Sequence, residues 1–270
     1  MKITINVDDF GISPGVNQAV LEMFKAGKIT SASLMCGCGY FDQAIKIAKE
    51  NPNLKIGLHF NLSSGRSILD SKLLTDDSGN FKNGFVKIFL QIIFNQKKFL
   101  AEVKKELEAQ ISLIEKSGLK LEHINSHRHI HFIPKIFDLV VKAASNHNIS
   151  KVRVINESLI KSWKIGHKKT FLFDGGLIKL LILRICGLLN NSKNYPNPSY
   201  FFSILYTCKI SKELISKLIP KDNSSKNLSD TNFSEIEIMI HPANPDLDSK
   251  IDSLEEKDHL LSANRLVERL

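Results

Sequence analysis

Short apolar runs alternate with segments of helical periodicity along the first half of the chain. The runs typical of buried parallel strands are Ile3–Asp8, Ser31–Met35, Lys55–Phe60, Glu122–Ser126 and Lys151–Ile155. The first helical segment begins with the N-cap Ser13 and Pro14, and it stops at Gly27. The other helical segments are Phe41–Glu50, Phe85–Phe94, Lys98–Ser117 and Pro134–His147. Strands that alternate with helices predict an α/β fold with a parallel sheet, either open or closed into a barrel.

The alternation breaks down between Ser158 and Asn232. This stretch contains an apolar helix near Leu177–Leu189 and the aromatic patch Tyr200–Phe202, and Glu235–Ile240 then returns as a strand. We therefore expect one catalytic domain over residues 1–270, in which residues 158–232 form a cap-like insertion over the barrel. The aromatic patch suits either a substrate-binding wall or the interface of a homodimer.

Composition and charge narrow the class of protein. Hydrophobic residues make up 43% of the chain, which is ordinary for a globular protein. The net charge is +9, but the lysines are scattered and no nucleic-acid-binding module is recognisable, so we expect no nucleic-acid partner. The four cysteines lack the spacing of a zinc finger or a disulfide scaffold. With no signal-peptide pattern and no apolar run long enough to span a bilayer, the sequence predicts a soluble cytoplasmic protein without a transmembrane segment.

Polar side chains follow the predicted strands at four separate points. Asp8 and Asp9 end the first strand, and His59 ends the third. His127 follows the fourth strand and His241 ends the last. Because the carboxyl ends of parallel strands meet on one face of the sheet, we expect these side chains to share one site.

Each of these residues also has a purely structural interpretation. An aspartate pair can simply turn the chain, and a single histidine in an apolar strand, such as His59, is more often a core residue than a ligand. Two adjacent carboxylates at a buried strand end nevertheless need a cation, and a metal ion would leave one aspartate as ligand and the other as base. His127, His129 and His131 alternate, so an extended segment would present three imidazoles on one side, as ligands or as their supports.

One carboxylate and two histidines, with open positions for water, suit a divalent metal that activates a nucleophile. The same donor set occurs in non-haem iron oxygenases, so these residues do not by themselves determine the reaction.

The motifs resemble those of the YdjC-like carbohydrate deacetylases. The matching segments are Asn6–Gly11, Thr30–Met35, Gly57–Phe60, His123–His131, Val152-Arg153 with Glu157, and Ile240–Pro242. Residues 158–232 have no recognisable match. The chain departs from the family pattern at Val7, where alanine is usual, and at Ala243, where the family often has glycine after the His-Pro pair.

The resemblance implies a TIM-barrel-like fold and hydrolysis of an N-acetyl group from an amino sugar, as part of a chito-oligosaccharide or a glycolipid-like substrate. It implies that Asp9, His59 and His127 bind a divalent metal, Mg²⁺ or Zn²⁺. By analogy with NodB-type polysaccharide deacetylases, Asp8 would be the general base, and His241 the general acid. The further residues expected to bind substrate or support the ligands are His129, His131, Arg153 and Glu157.

Two other classes of protein fit part of the pattern. An amidohydrolase- or phosphoesterase-type metal site is one, although its His-x-His pair usually ends the first strand, where this chain has Asp8 and Asp9. A sugar-binding protein without catalysis is the other, although every residue type needed for the chemistry is present.

Overall fold

A computed structural model of the chain describes residues 2–166, 175–190, 192, 195–196, 199–218, 233–251, 253–254 and 256–270, without the side chains of 258, 259, 263 and 267. The strands are β1 (Lys2–Phe10), β2 (Ser31–Leu34), β3 (Lys55–Phe60), β4 (Leu121–Ser126), β5 (Lys151–Val152), β6 (Tyr200–Phe202) and β7 (Glu235–Ile240). The helices are α1 (Pro14–Lys25), α2 (Phe41–Glu50), α3 (Phe85–Lys116), α4 (Ile136–Asn146), α5 (Leu159–Gly166), α6 (Gly176–Leu189), α7 (Lys212–Leu218), α8 (Pro245–Asp248), α9 (Lys257–Leu260) and α10 (Ala263–Val267).

Local sequence signals set the ends of the first helix. The Ser13 hydroxyl accepts a hydrogen bond from the backbone N–H of Val16 at 3.1 Å, and Pro14 takes the first helical position. Gly27 follows the helix with a φ of +66°, in the left-handed region that favours glycine. The two predicted helices over 85–117 form one element, α3, which is interrupted at Asn95 by a non-helical φ of −139°.

The seven strands form one parallel sheet with the order β5-β4-β3-β2-β1-β7-β6. The predicted α/β fold with a parallel sheet is therefore confirmed. Strand β1 lies between β2 and β7, where Asn6 is in register with Ser31 on one side and Met239 on the other. The end of β1, with its two aspartates, consequently lies in the interior of the sheet.

Over the described residues the sheet curls into a half-barrel, and the closed TIM barrel that the resemblance implies is not confirmed. Among the described residues, its edge strands β5 and β6 share no backbone ladder. Side chains bridge the gap: the Val152 N–H donates to the Tyr195 hydroxyl at 3.0 Å, and the Phe201 N–H donates to Asn156 Oδ1 at 2.8 Å. Strands β5 and β6 each pair with one described strand, and hydroxyl and amide groups satisfy part of the backbone on their other side.

The aromatic patch Tyr200–Phe202 belongs to the predicted insertion and yet forms β6, which pairs with β7. The insertion over 158–232 and the single domain stay predictions, because several residues of that stretch, among them 167–174 and 219–232, lie outside the described residues. In the described part of the chain, no helix combines the length and apolarity needed to cross a membrane.

Candidate active site

Both aspartates at the end of β1 line one cavity of about 640 Å³. Successive side chains of a regular strand point to opposite faces, so the neighbours Asp8 and Asp9 would normally diverge. Here the pairing of β1 with β2 shifts register between Val7 and Phe10, and Asp9 has a left-handed φ of +64°. This irregularity, rare for a residue with a side chain, lets two adjacent carboxylates reach the same cavity.

Asp9, His59 and His127 form a compact buried cluster. Asp9 Oδ1 lies 3.2 Å from His59 Nε2 and 3.0 Å from His127 Nδ1. One potential ligand atom from each residue lies within 4.8 Å of the other two. The other Asp9 oxygen accepts a hydrogen bond from Arg265 at 2.7 Å. Burial raises the pKa of Asp9, but Arg265 and the two histidines outweigh burial and hold it well below its usual range.

The tautomer of His59 is set by Asn125. The Asn125 amide nitrogen donates to Asp8 Oδ1 at 3.1 Å and to Ser33 Oγ at 2.8 Å, so its oxygen is left to accept from His59 Nδ1 at 2.7 Å. When the ring carries a single hydrogen, that hydrogen is on Nδ1, and the lone pair of Nε2 faces the carboxylate of Asp9. Two acceptors that face each other in a buried site need a cation between them, as at a metal centre.

His127 is oriented by a second carboxylate. Its Nδ1 faces Asp9, while its Nε2 lies 3.0 Å from Oε1 of Glu256. Burial lowers the pKa of His127, but its hydrogen bonds to Asp9 and Glu256 more than compensate and raise it to about 9. A histidine that binds a metal through one nitrogen commonly donates the other N–H to a carboxylate. The cluster therefore fits a divalent metal with Asp9, His59 and His127 as ligands.

Asp8 is the second carboxylate of the site and forms a buried ion pair with Arg153. The guanidinium donates to Asp8 Oδ2 at 2.7 Å and to Oδ1 at 2.8 Å. Asn6 and Asn125 also donate to Oδ1. Burial raises the pKa of Asp8, but the charge of Arg153 outweighs burial and holds the pKa well below its usual range. Asp8 is therefore ionised and fixed in orientation.

The segment from His127 to Phe132 is not extended, and the predicted row of three imidazoles is wrong. It forms a 3₁₀ turn in which Arg128 and His129 have left-handed φ angles of 53° and 57°. His131 points away from the cavity, with its Nδ1 2.6 Å from Ser126 Oγ and its Nε2 3.0 Å from the Arg153 carbonyl oxygen. Burial and the charge of Arg153 lower the pKa of His131 to about 3. This imidazole braces the turn as a neutral ring.

His129 lines the cavity and meets the ring of Phe201 edge to face, with the ring centroids 6.2 Å apart. The Arg153 guanidinium lies over the ring of Phe201, 4.9 Å from the ring centroid. Part of the aromatic patch thus forms a wall behind the site. Burial, together with the charges of Lys179 and Arg153, lowers the pKa of His129 well below its usual range.

His241 lies on the cavity at the end of β7. Its backbone N–H donates to Glu268 Oε2 at 2.5 Å, and its Nδ1 lies 3.8 Å from that oxygen, too far for a hydrogen bond. Burial lowers the pKa of His241, but the adjacent Cys208, and then Glu268 and Asp9, raise it well above its usual range. The raised pKa favours the protonated imidazole, which is the form that can donate a proton.

Glu157 and Arg153 do not line the cavity. Glu157 is fully buried and accepts hydrogen bonds from the backbone N–H groups of Ser203 and Ile204 and from the Ser162 hydroxyl. Burial raises the pKa of Glu157 to about 7, although these bonds oppose the rise. It anchors the loop that brings Thr207 to the cavity.

The sequence interpretation missed several residues of the site. Asn125 lies inside the His-rich motif and was the easiest to find, since a buried amide between a strand and a candidate ligand is typical of a supporting residue. Arg265, Glu256 and Lys179 approach from distant parts of the chain. No local pattern in the sequence marks them.

A family model described as YdjC-like protein matches residues 2–269. The chain belongs to the YdjC-like family. The resemblance inferred from the motifs is thus confirmed, and the match also spans the stretch 158–232, which the motifs left unmatched.

Individual members of the YdjC-like family are similar over different lengths. A carbohydrate deacetylase from Listeria monocytogenes serotype 4b is 31% identical over 247 residues, which is 90% of this chain and 82% of the relative. A carbohydrate deacetylase from Brevibacillus brevis is 37% identical over 150 residues, covering 55% of this chain and 58% of that protein. The latter alignment therefore spans little more than half of either protein.

The crystal structure of an Enterococcus faecalis V583 protein, described as a candidate cellobiose-phosphate cleavage protein, superimposes with a TM-score of 0.66. The two sequences are 25% identical, and the match covers 98% of this chain and 92% of the other. The overall fold is therefore shared with a solved structure over nearly the full length of both chains.

Proposed function

We propose that this chain is a metal-dependent carbohydrate deacetylase, a hydrolase that releases acetate from an N-acetylated amino sugar. The observation that carries the proposal is the buried cluster of Asp9, His59 and His127, with its orienting partners in place, beside the ionised carboxylate of Asp8. The deacetylase names of the Listeria and Brevibacillus relatives support the reaction type.

Asp9, His59 and His127 would hold the metal. Two imidazoles and one carboxylate suit Zn²⁺ better than Mg²⁺, which prefers oxygen ligands and water. When bound, such an ion supplies a Lewis acid that lowers the pKa of water and polarises an acetyl carbonyl. Asn125 and Glu256 keep the nitrogens of His59 and His127 directed at the position between them.

Asp8 would accept the proton of the attacking water. Among the described residues, its Oδ1 accepts three hydrogen bonds and its Oδ2 only one, from Arg153. Oδ2 therefore retains acceptor capacity for a water molecule in the cavity. The low pKa keeps Asp8 ionised at any working pH, so it holds a transferred proton only briefly.

His241 would protonate the leaving amine. Its raised pKa keeps the imidazole charged near neutral pH, which is the form that a general acid needs. It reaches the cavity from β7, while Asp8 reaches it from the neighbouring β1. The acid and the base therefore come from adjacent strands and are held by separate networks.

The size of the cavity and the state of the cysteines bear on the substrate and the compartment. A cavity of about 640 Å³ accommodates a sugar of one or a few units, consistent with a chito-oligosaccharide or the sugar part of a glycolipid. None of the four cysteines forms a disulfide, which supports a reducing compartment such as the cytoplasm.

The test is acetate release from N-acetylglucosamine oligomers by the purified chain, with and without added Zn²⁺ or Mg²⁺. His127→Ala removes a proposed ligand, and His147→Ala is the matched control, since His147 pairs with Glu108 and Glu115 on the surface. We expect release that needs metal, is lost in His127→Ala and is unchanged in His147→Ala. No release from any N-acetyl sugar, despite stoichiometric bound zinc, would refute the proposal and direct attention to sugar phosphoesters.

A further inference from the structure

Helix α6 is apolar on the side that faces away from the protein as well as on the side that packs against it. Its outward residues are Ile178, Leu181, Ile182, Ile185, Leu188 and Leu189, which are between 43% and 68% exposed. They follow the i, i+3, i+4, i+7 spacing that a helix normally turns toward a core. The opposite side buries Leu180, Leu183 and Cys186. An exposed apolar stripe about three turns long is a surface that water solvates poorly.

The neighbouring helix α5 adds an aromatic and basic component to this surface. Ile160 is 64% exposed and Trp163 is 51% exposed, and Lys161 and Lys164 are on the same helix. On α6, Arg184 donates to the backbone carbonyl of Glu157 at 3.1 Å, just before α5 begins. Neither helix contains an aspartate or a glutamate. Both helices therefore expose apolar side chains and carry positive but no negative charge.

Helix α6 also contributes to the active site. Lys179 lies between the first residues of the exposed stripe and lines the catalytic cavity. A single helix thus presents one side chain to the cavity and its next apolar neighbours to the surroundings. Whatever binds the exposed stripe is placed next to the cavity.

We propose that α5 and α6 together dock on the surface of an anionic lipid bilayer, with the α6 stripe in the headgroup region. Tryptophan beside leucine and isoleucine, with lysine and arginine and no acid, is the composition of helices that lie in the bilayer interface. The 14 residues of α6 are too few to span the hydrocarbon layer, so the helix lies parallel to it.

Charge favours a bilayer over a second copy of the chain as the occupant. The chain carries a net charge of +9, and self-association through α5 and α6 would bring Lys161, Lys164 and Arg184 of two copies together without an acidic partner from either helix. Anionic headgroups supply the opposite charge. This docking is independent of the proposed hydrolysis, and it would bring the cavity to substrates held at a membrane.

The experiment is flotation of the full chain with lipid vesicles, without any sugar substrate. One set of vesicles is phosphatidylcholine alone, and the other contains about 30% phosphatidylglycerol. Ile185→Glu/Leu188→Glu places two charges in the stripe. Ile93→Glu/Phe94→Glu is the matched control, because these residues of α3 are 57% and 82% exposed and lie outside the proposed surface. Lys161→Glu/Lys164→Glu tests the charge, and circular dichroism checks that each variant is folded.

We expect the wild type and the α3 variant to float with anionic vesicles, and the α6 variant to partition at least about tenfold less. We also expect Lys161→Glu/Lys164→Glu to weaken binding, and high salt to weaken binding of the wild type. Wild-type protein that stays unbound, or an α6 variant that binds as well as wild type, overturns the proposal. So does a dimer in sedimentation that the α6 substitutions dissociate while vesicle binding is absent. Acetate release from soluble oligosaccharides is measured separately, so failure of one proposal is distinguishable from failure of the other.

Discussion

The buried ion pair between Asp8 and Arg153 is the interaction whose removal should disturb the site most clearly. Arg153→Met removes both bonds to the carboxylate, at 2.7 and 2.8 Å, and leaves Asp8 without its compensating charge in a buried environment. Breaking one side of such a pair destabilises a protein by about 3–5 kcal/mol. For 270 residues the entropy of unfolding is about 0.57 kcal/mol/K, so the melting temperature should fall by about 5–9 °C.

The pH dependence separates this effect from simple loss of packing. In the wild type, the low pKa of Asp8 contributes stability that is present above the unfolded pKa and is lost only as the pH falls below about 4. Without Arg153, the largest influence that lowers the pKa of Asp8 is removed, so we expect the carboxyl to take up a proton at a higher pH than in the wild type. The destabilisation by Arg153→Met should therefore be smaller at pH 5 than at pH 8.

The assay is denaturant unfolding of the metal-free chain at both pH values, with a double-mutant cycle. Replacing both partners, as in Asp8→Leu/Arg153→Met, removes the uncompensated charge of Asp8 and should be less destabilising than the sum of the single changes. Glu237, which lies 2.7 Å from Arg153 Nε, loses its partner in the single and the double Arg153 variant alike, so its contribution cancels in the cycle. Arg153→Met within 1 kcal/mol of wild type at both pH values, or a coupling energy below about 0.5 kcal/mol, would refute the reasoning.

Three further predictions concern other parts of the site and its surroundings. His127 has a pKa of about 9, so below that pH a proton competes with the metal for this side chain. The affinity for Zn²⁺, measured against a chromogenic chelator, should therefore rise about tenfold per pH unit from pH 7 to 8.5. An affinity that does not change with pH would contradict this. Since burial raises the pKa of Glu157 to about 7, Glu157 binds a proton in the folded chain that it releases in the unfolded chain. The unfolding free energy of the wild type should therefore fall by up to about 3 kcal/mol as the pH rises from 4.5 to 7, and this fall should be absent in Glu157→Gln. Gly57→Ala would place a Cβ 2.2 Å from Nε2 of His123 and should lower the free energy of unfolding by about 1–3 kcal/mol, as measured by thermal unfolding. Gly39→Ala is the control, because open space surrounds Gly39 and the free energy of unfolding should hardly change.

The sequence was most informative where periodicity and burial agree. Helix Phe41–Glu50 and strands Lys55–Phe60 and Glu235–Ile240 have the predicted bounds, because their apolar positions match one face of a helix or a strand buried on both sides. The rule that parallel strands end on one face also brought Asp9 and His59 into one predicted site, and the structure places them 3.2 Å apart. Their roles as ligands stay predictions.

The sequence was least informative where an unusual backbone conformation or contacts between distant residues determine the structure. The His127–Phe132 segment alternates like a strand, yet left-handed φ angles at Arg128 and His129, unusual for residues with side chains, make it a turn. Periodicity also could not show that side-chain hydrogen bonds of Tyr195 and Asn156 link the two edges of the sheet.

The amide of Asn125 has a consequence for anyone who would rebuild this centre elsewhere. Its nitrogen is committed to Asp8 and Ser33, so its oxygen dictates where the hydrogen of His59 resides. A designer who transplants only the aspartate and two histidines to a new scaffold would leave the His59 ring free to rotate and to exchange tautomers. The smallest portable unit of the centre is therefore the three ligands together with this amide and the carboxylate that holds it.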